Sequence, residues 1–350
     1  MIDLRSDTVT KPTLAMMEYL ARAELGDDGR GDDPTVQRLE KMAAERMGKP
    51  AGLFVASGTM GNLIGVLANT ARSGEVIAEA SSHVLRSEMG GVATLAGLYP
   101  RGLRGQRGAM DIGLLRQQLR APGLRPHLLG TALVCLESTH NAAGGAVLPL
   151  RHMADVRCLA DEFGVPIHLD GARIFNAAVA LGIEACEIAV YADTVTFCLS
   201  KGLSAPVGSV VTGSHEFIAR ARGFRRMLGG NMRQAGLLAA CGIVALEQMV
   251  ERLKDDHINA RALAEGLHRI DPGFTDPSLV ETNVVMVSLP DSANNCEHWL
   301  AALRNHGVLA ATARPHVLRL VTHRHIDAAA IPQVITAFAA IHNEYRQTAA

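Results

Sequence analysis

The sequence predicts an α/β fold: a large domain whose mostly parallel sheet is flanked by helices, followed by a small C-terminal α+β domain. Three observations carry this. Residues 194–199 are β-branched, aromatic or apolar almost without interruption, the mark of a strand buried on both faces of a parallel sheet. Strand-like and helix-like segments alternate down to Val211, which makes right-handed crossovers the economical connection. Asp170 and Lys201 each follow such a strand and stand 31 positions apart, about one β-α-β unit, so neighbouring strands would deliver both to one sheet edge.

At 350 residues the chain can bury a sizeable core in two domains. A formal net charge of −1 and 4% aromatic residues argue against a nucleic-acid binder or a polybasic membrane-surface protein. The start Met1-Ile-Asp-Leu-Arg-Ser-Asp7 lacks the apolar core of a signal peptide, and no apolar run approaches membrane-spanning length. A cytoplasmic location is the expectation. Cys135, Cys158, Cys186, Cys198, Cys241 and Cys296 are scattered without a CxxC pair and read as small buried hydrophobes, with no metal site expected.

In chain order, residues 1–10 read as an arm, and Pro12 in a first turn opens a helix over 12–23. The turn-rich segment 26–34 precedes an amphipathic helix from Val36 to Met47, stopped by Gly48. A short strand over 53–56 leads into Ser57-Gly-Thr-Met-Gly-Asn62 and an apolar helix. Such a small-residue turn is either a plain connection or a phosphate cradle at a helix amino terminus. Residues 75–79 form a strand, and beyond it His83 and Glu88 suit either a capped helix start or a pocket imidazole beside a carboxylate. Residues 101–107 read as a solvated basic loop. Strands over 132–136 and 166–169 flank a helix over 150–163, and the second ends in Asp170-Gly-Ala-Arg173. After an apolar helix to Met249 the boundary falls near Gln248, giving domains of residues 1–248 and 249–350. The second holds strands over 283–288 and 317–321 and helices over 296–305 and 328–342, with Trp299 in its core. Arg319, the polar exception in its strand, reads by itself as a water-facing edge residue, and His323 and His325 read as surface rather than metal ligands.

Four strand ends therefore converge on the carboxyl edge, where open α/β sheets bind ligands. They bring a small-residue turn, a Glu137/His140/Asn141 loop, an acid followed by an arginine, and a lysine whose partly desolvated amine can form a Schiff base. That set meets the needs of pyridoxal 5'-phosphate: an amine for the aldehyde, a helix amino terminus for the phosphate and a carboxylate for the ring nitrogen. Neither a Walker loop nor a GxGxxG fingerprint is present.

The segments Leu4-Arg-Ser-Asp-Thr-Val-Thr10, Gly31-Asp-Asp-Pro34, Ser57-Gly-Thr-Met-Gly-Asn62, Glu137-Ser-Thr-His140, Leu169-Asp-Gly-Ala-Arg173, Cys198-Leu-Ser-Lys-Gly202, Gly229-Gly-Asn-Met-Arg-Gln234 and Leu318-Arg-Leu-Val-Thr-His323 carry a resemblance. Together they are similar to the low-specificity L-threonine aldolases, fold-type I pyridoxal-phosphate enzymes of the aspartate aminotransferase superfamily. The resemblance implies cleavage of L-threonine or L-allo-threonine to glycine and acetaldehyde, in a homotetramer built as a dimer of dimers. It implies that Lys201 carries the cofactor, Asp170 pairs with its ring nitrogen, His83 stacks on the ring, and Gly58, Thr59 and Arg233 hold the phosphate. Ser6, Arg173 and Arg319 would clamp the substrate carboxylate, and His83, His127 or a water on Glu88 would take the β-hydroxyl proton. Two departures from the family pattern stand out, Gly29-Arg30 before the Gly-Asp-Asp-Pro motif and Arg226 before the Gly-Gly-Asn-Met-Arg-Gln motif; the first bears on the side-chain pocket. Alternatives on this scaffold are an aldolase for phenylserine or a hydroxylated arginine, a β-eliminating lyase, a racemase, or a binding protein without catalysis.

Overall fold

The computed structural model describes residues 1–71, 73–121, 128–290 and 295–349. Its strands in chain order are β1 (Ile2–Asp3), β2 (Ala51–Val55), β3 (Glu75–Glu79), β4 (Tyr99–Leu103), β5 (Gly105–Gln106), β6 (Ala109–Met110), β7 (Thr131–Glu137), β8 (Ile167–Asp170), β9 (Thr194–Cys198), β10 (Ser209–Gly213), β11 (Val284–Ser288), β12 (Val308–Leu309), β13 (Ala311–Arg314) and β14 (Val317–Val321). Seven of them form the central sheet in the order β2-β10-β9-β8-β7-β3-β4. β10 runs antiparallel to both its neighbours and every other pair is parallel. The mostly parallel sheet expected from the sequence is therefore what forms.

Parallel pairing turns the carboxyl ends of β3, β7, β8 and β9 to one edge. Register aligns them closely: Glu137 pairs with Asp170, and Asp170 with Thr196. All five residues of β9 are buried, which is why its sequence carries no charged residue. The helix Leu150–Phe163 makes the crossover from β7 to β8 and stops at Gly164, whose φ of 64° suits a residue without Cβ. The helix Gly58–Asn69 packs so tightly on β9 that a Cβ on Gly61 would lie 2.5 Å from Thr196 Cγ2.

A second sheet, β11-β14-β13, lies over a separate buried cluster in which Trp299, Phe274 and Phe338 pack together. The amino-terminal arm joins this unit: β1 pairs with β12, and Leu4 is buried in the same cluster. No helix among the described residues is long and apolar enough to cross a membrane.

Several local expectations are corrected. The first helix is Leu14–Leu20, because the Thr13 hydroxyl accepts from the Met16 amide and makes Thr13, not Pro12, the cap. Residues 101–103 of the expected basic loop belong instead to the parallel edge strand β4, where Arg101 is held by both oxygens of Glu75, at 2.5 and 2.8 Å. Its proline and glycine hide the strand pattern, and both are tolerated at an edge. His323 is buried and bonded through Nε2 to the Asp3 carbonyl at 2.8 Å, whereas His325 is exposed. Cys158 is exposed, unlike Cys135, Cys198 and Cys241. The helix His215–Met227 has no counterpart in the sequence reading.

Candidate active site

The edge formed by these strand ends borders a cavity of about 270 Å³. Of the residues singled out from the sequence, Ser6, Gly58, Thr59, His83, Asp170, Arg173, Lys201 and Arg319 line it. Lys201 arrives three residues past β9, and its carbonyl accepts from Thr10 Oγ1 at 2.8 Å, tying the arm to the lysine turn. Asp170 ends β8 with Oδ1 accepting from the Ala172 amide at 3.0 Å and Oδ2 from Asn62 Nδ2 at 2.8 Å.

Glu88 stands behind this wall. It is buried, and its Oε1 takes both His83 Nδ1 and Asn62 Nδ2 at 2.8 Å. The hydrogen bond that the His83 ring gives to Glu88 raises the His83 pKa, against the opposing effect of burial. Ligand-type atoms of His83, Glu88 and Asp170 lie within 4.8 Å of one another. The Asn62 amide and the His83 ring bind these carboxylates directly, so side-chain donors account for the cluster. Glu137 is pushed up by burial, although the His83 and Asn141 amides donate to it at 2.6 and 2.8 Å.

The arginines differ from each other. Arg173 spends Nε and Nη2 on the two oxygens of Asp7, both at 2.7 Å, leaving Nη1 for a further acceptor. Burial alone would raise the Asp7 pKa, but the charge and hydrogen bonds of Arg173, with the Lys201 charge and the Asn283 amide, together outweigh it and hold the carboxyl well below the usual range. Arg319 sits on β14, the middle strand of its sheet rather than an edge. Its Nη1 donates to Asn141 Oδ1 at 3.1 Å, while its buried Nε has no partner among the described residues. Burial, then the nearby Arg173 charge, lowers its pKa.

Two expected contributors stand apart. Arg233 is exposed and faces Asp27 Oδ2 at 3.4 Å, because the loop before Pro34 packs on it through the bond from the Asp28 amide to the Arg233 carbonyl. It does not line the cavity of the single chain. His127 lies outside the described residues. Arg30 is exposed, 3.7 Å from Asp27, and also off the cavity. The sequence reading gave no role to Asn62 or Asp7. Their signal was proximity in sequence: Asn62 closes the small-residue turn, and Asp7 adjoins Ser6.

The residues present fit pyridoxal phosphate. Ser57 caps the helix Gly58–Asn69 through its hydroxyl, and the first amides of a helix have no partner inside it, so Gly58 and Thr59 offer N–H groups at its positive end. A Cβ on Gly58 would lie 2.8 Å from Cys198 Sγ, and beside it Ser209 Oγ is buried without a partner among the described residues. An amine, a buried carboxylate and a half-exposed imidazole face the same space.

The beta-eliminating lyase family matches residues 3–292, which makes the chain a pyridoxal-phosphate-dependent lyase of fold type I. It is 46% identical to a probable low-specificity L-threonine aldolase of Arabidopsis thaliana, over 96% of each chain. It is 40% identical to the low specificity L-threonine aldolase of Escherichia coli K12, over 95% of this chain and 97% of that one. The chain belongs to the low-specificity L-threonine aldolase family. Its fold matches the crystal structure of a putative L-allo-threonine aldolase from Listeria monocytogenes, with a TM-score of 0.80 and 21% identity over 97% of this chain and 96% of that one.

Proposed function

We propose that the enzyme cleaves L-threonine and L-allo-threonine, with related β-hydroxy-α-amino acids, to glycine and an aldehyde by scission of the Cα–Cβ bond. The observation that carries this is the meeting of Lys201, Asp170 and Arg319 at one cavity in a chain with 40–46% identity to named threonine aldolases. When bound, pyridoxal phosphate supplies the electron sink for that scission.

The chain's own groups do the rest. Lys201 would provide the amine that holds the cofactor. Asp170 would pair with the ring nitrogen, and Gly58 and Thr59 would offer amides to the phosphate. Arg319, whose Nε has no partner among the described residues, and Ser6 would receive the substrate carboxylate, assisted by Arg173 Nη1. Holding the carboxylate in place would orient the substrate for scission of one Cα bond. His83 is tied to Glu88 through Nδ1, so its Nε2 is our candidate to take the β-hydroxyl proton, with His127 and a Glu88-held water as the other candidates.

The resemblance further supports a homotetramer and a cytoplasmic location. Residues 1–248 would form the cofactor-binding unit and 249–350 the smaller one. The deciding assay incubates holoenzyme with L-threonine, L-allo-threonine and phenylserine and measures glycine and aldehyde. Glycine with acetaldehyde is expected. Ammonia and a keto acid without glycine would replace the aldolase reading with β-elimination.

A further inference from the structure

The buried groups behind Asp170 form a chain whose polarity is set by chemistry. Two carboxylate oxygens, one each from Glu88 and Asp170, lie 2.8 Å from Asn62 Nδ2. Carboxylates in this setting accept, so the amide must present its NH2 to them and its Oδ1 to the other side. On that side His168 Nε2 stands 3.2 Å away and must carry the hydrogen. Burial lowers the His168 pKa to about 4, so the ring is neutral and its Nδ1 is bare. Nδ1 then accepts from the Thr194 hydroxyl at 2.9 Å, whose oxygen in turn takes Asn69 Nδ2 at 2.8 Å. Every link agrees with one direction of donation, from Asn69 to the carboxylates.

The packing is specific to this ring. A Cβ on Gly65 would lie 2.3 Å from His168 Cε1, so the helix Gly58–Asn69 keeps a glycine where the imidazole sits. None of His168, Thr194 or Asn69 borders the cavity.

We infer that Asn62, His168 and Thr194 are positioning residues: a neutral relay that fixes the Asp170 and Glu88 carboxylates in place while leaving their negative charge undiminished. A cation at position 168 would draw on the Asp170 charge that the cofactor ring nitrogen requires. An amide backed by a neutral imidazole orients the same oxygen without competing for it. The inference rests on the reading that Asp170 faces the cofactor ring.

The test uses holoenzyme labelled with ¹⁵N-histidine, with the position 168 signals assigned by their loss in His168→Gln. A neutral ring with hydrogen on Nε2 is expected at neutral pH; hydrogen on Nδ1, or a cationic ring, overturns the relay. Thr194→Val keeps the side-chain shape and removes the donor. It should move the His168 Nδ1 resonance and raise the pyridoxal-phosphate dissociation constant about tenfold, as loss of one buried hydrogen bond does, with Thr194→Ser restoring both. Unchanged resonance and unchanged dissociation constant in Thr194→Val also overturn it. Both readouts are independent of turnover, so an enzyme that binds cofactor through an intact relay and cleaves no amino acid would refute the function and not the relay.

Discussion

Replacing Asp7 by alanine tests how the site tolerates a buried cation. Asp7 is fully buried, Arg173 is 7% exposed, and the two are joined by a bidentate pair at 2.7 Å on each arm. Asn283 Nδ2 donates to the same carboxylate at 3.2 Å. Breaking a buried pair from one side strands the other charge, a loss of about 3–5 kcal/mol, and here an amide loses its acceptor as well. Arg173→Met should cost a similar amount by stranding Asp7. The double variant Asp7→Ala/Arg173→Met should cost far less than the sum, because neither charge is left behind. Guanidinium unfolding of the apo-proteins measures all three. The sign with pH follows from the Arg173 charge holding the Asp7 carboxyl below its ordinary value. The stabilisation is complete above the unfolded carboxyl's value near ~4 and is lost as pH falls toward the native one, so the gap between wild type and Asp7→Ala closes only in acid. A single-variant cost below about 1 kcal/mol, or a double variant as weak as the summed singles, would refute the pair as the anchor of Arg173.

Lys201→Ala should abolish turnover and let pyridoxal phosphate leave on dialysis, read by the loss of visible absorbance from the protein. Arg319→Gln, which removes the charge and the free Nε, should lower kcat/KM for L-threonine by roughly 10- to 100-fold, the range of a charge-assisted hydrogen bond, with an unchanged melting temperature. Gly58→Ala places a methyl 2.8 Å from Cys198 Sγ in the cradle and should weaken cofactor binding by equilibrium dialysis, with Gly58→Ala/Cys198→Ala recovering part of it. Glu88 raises the His83 pKa, so His83 holds its proton to higher pH and the acid limb of kcat/KM should lie above the ordinary histidine value of about 6.5; Glu88→Gln should move that limb to lower pH. A limb that stays in place excludes His83 as the titrating group.

The fold was legible wherever burial forces a pattern. β3 and β14 and the helix Leu150–Phe163 were read to the residue, since each is fixed by its own run or stripe of apolar side chains. β4 was missed because an edge strand with one neighbour tolerates Pro100 and Gly102 and needs few apolar residues. The site was legible in the groups that end strands, Asp170 and Lys201 above all. Asp7 and Asn62 escaped because their roles depend on partners 166 and 108 positions away, and no local spacing encodes such pairs. That Arg233 stands off the single chain's cavity was hidden for the same reason: its partner Asp27 lies 206 positions distant, in a loop with no regular pattern.

What ligands the cavity can admit follows from which charges are already spoken for. Asp7 is matched by Arg173, Glu88 by His83 and Asn62, Asp170 by Asn62 and the Ala172 amide, and Glu137 by two backbone amides. Among the described residues, two cations at the cavity then have no carboxylate partner: Lys201 and Arg319. They come from different sheets, one past the end of β9 and one from the middle of β14, so the two units must close on the same space to present both. A ligand that satisfies this cavity brings an electrophile for the amine and a carboxylate for the guanidinium. An aldehyde-bearing cofactor and an α-amino acid together supply that combination. Arg173 is mostly committed to Asp7, so in the function proposed above Arg319 would be the dominant receptor of the substrate carboxylate rather than one half of an equal clamp.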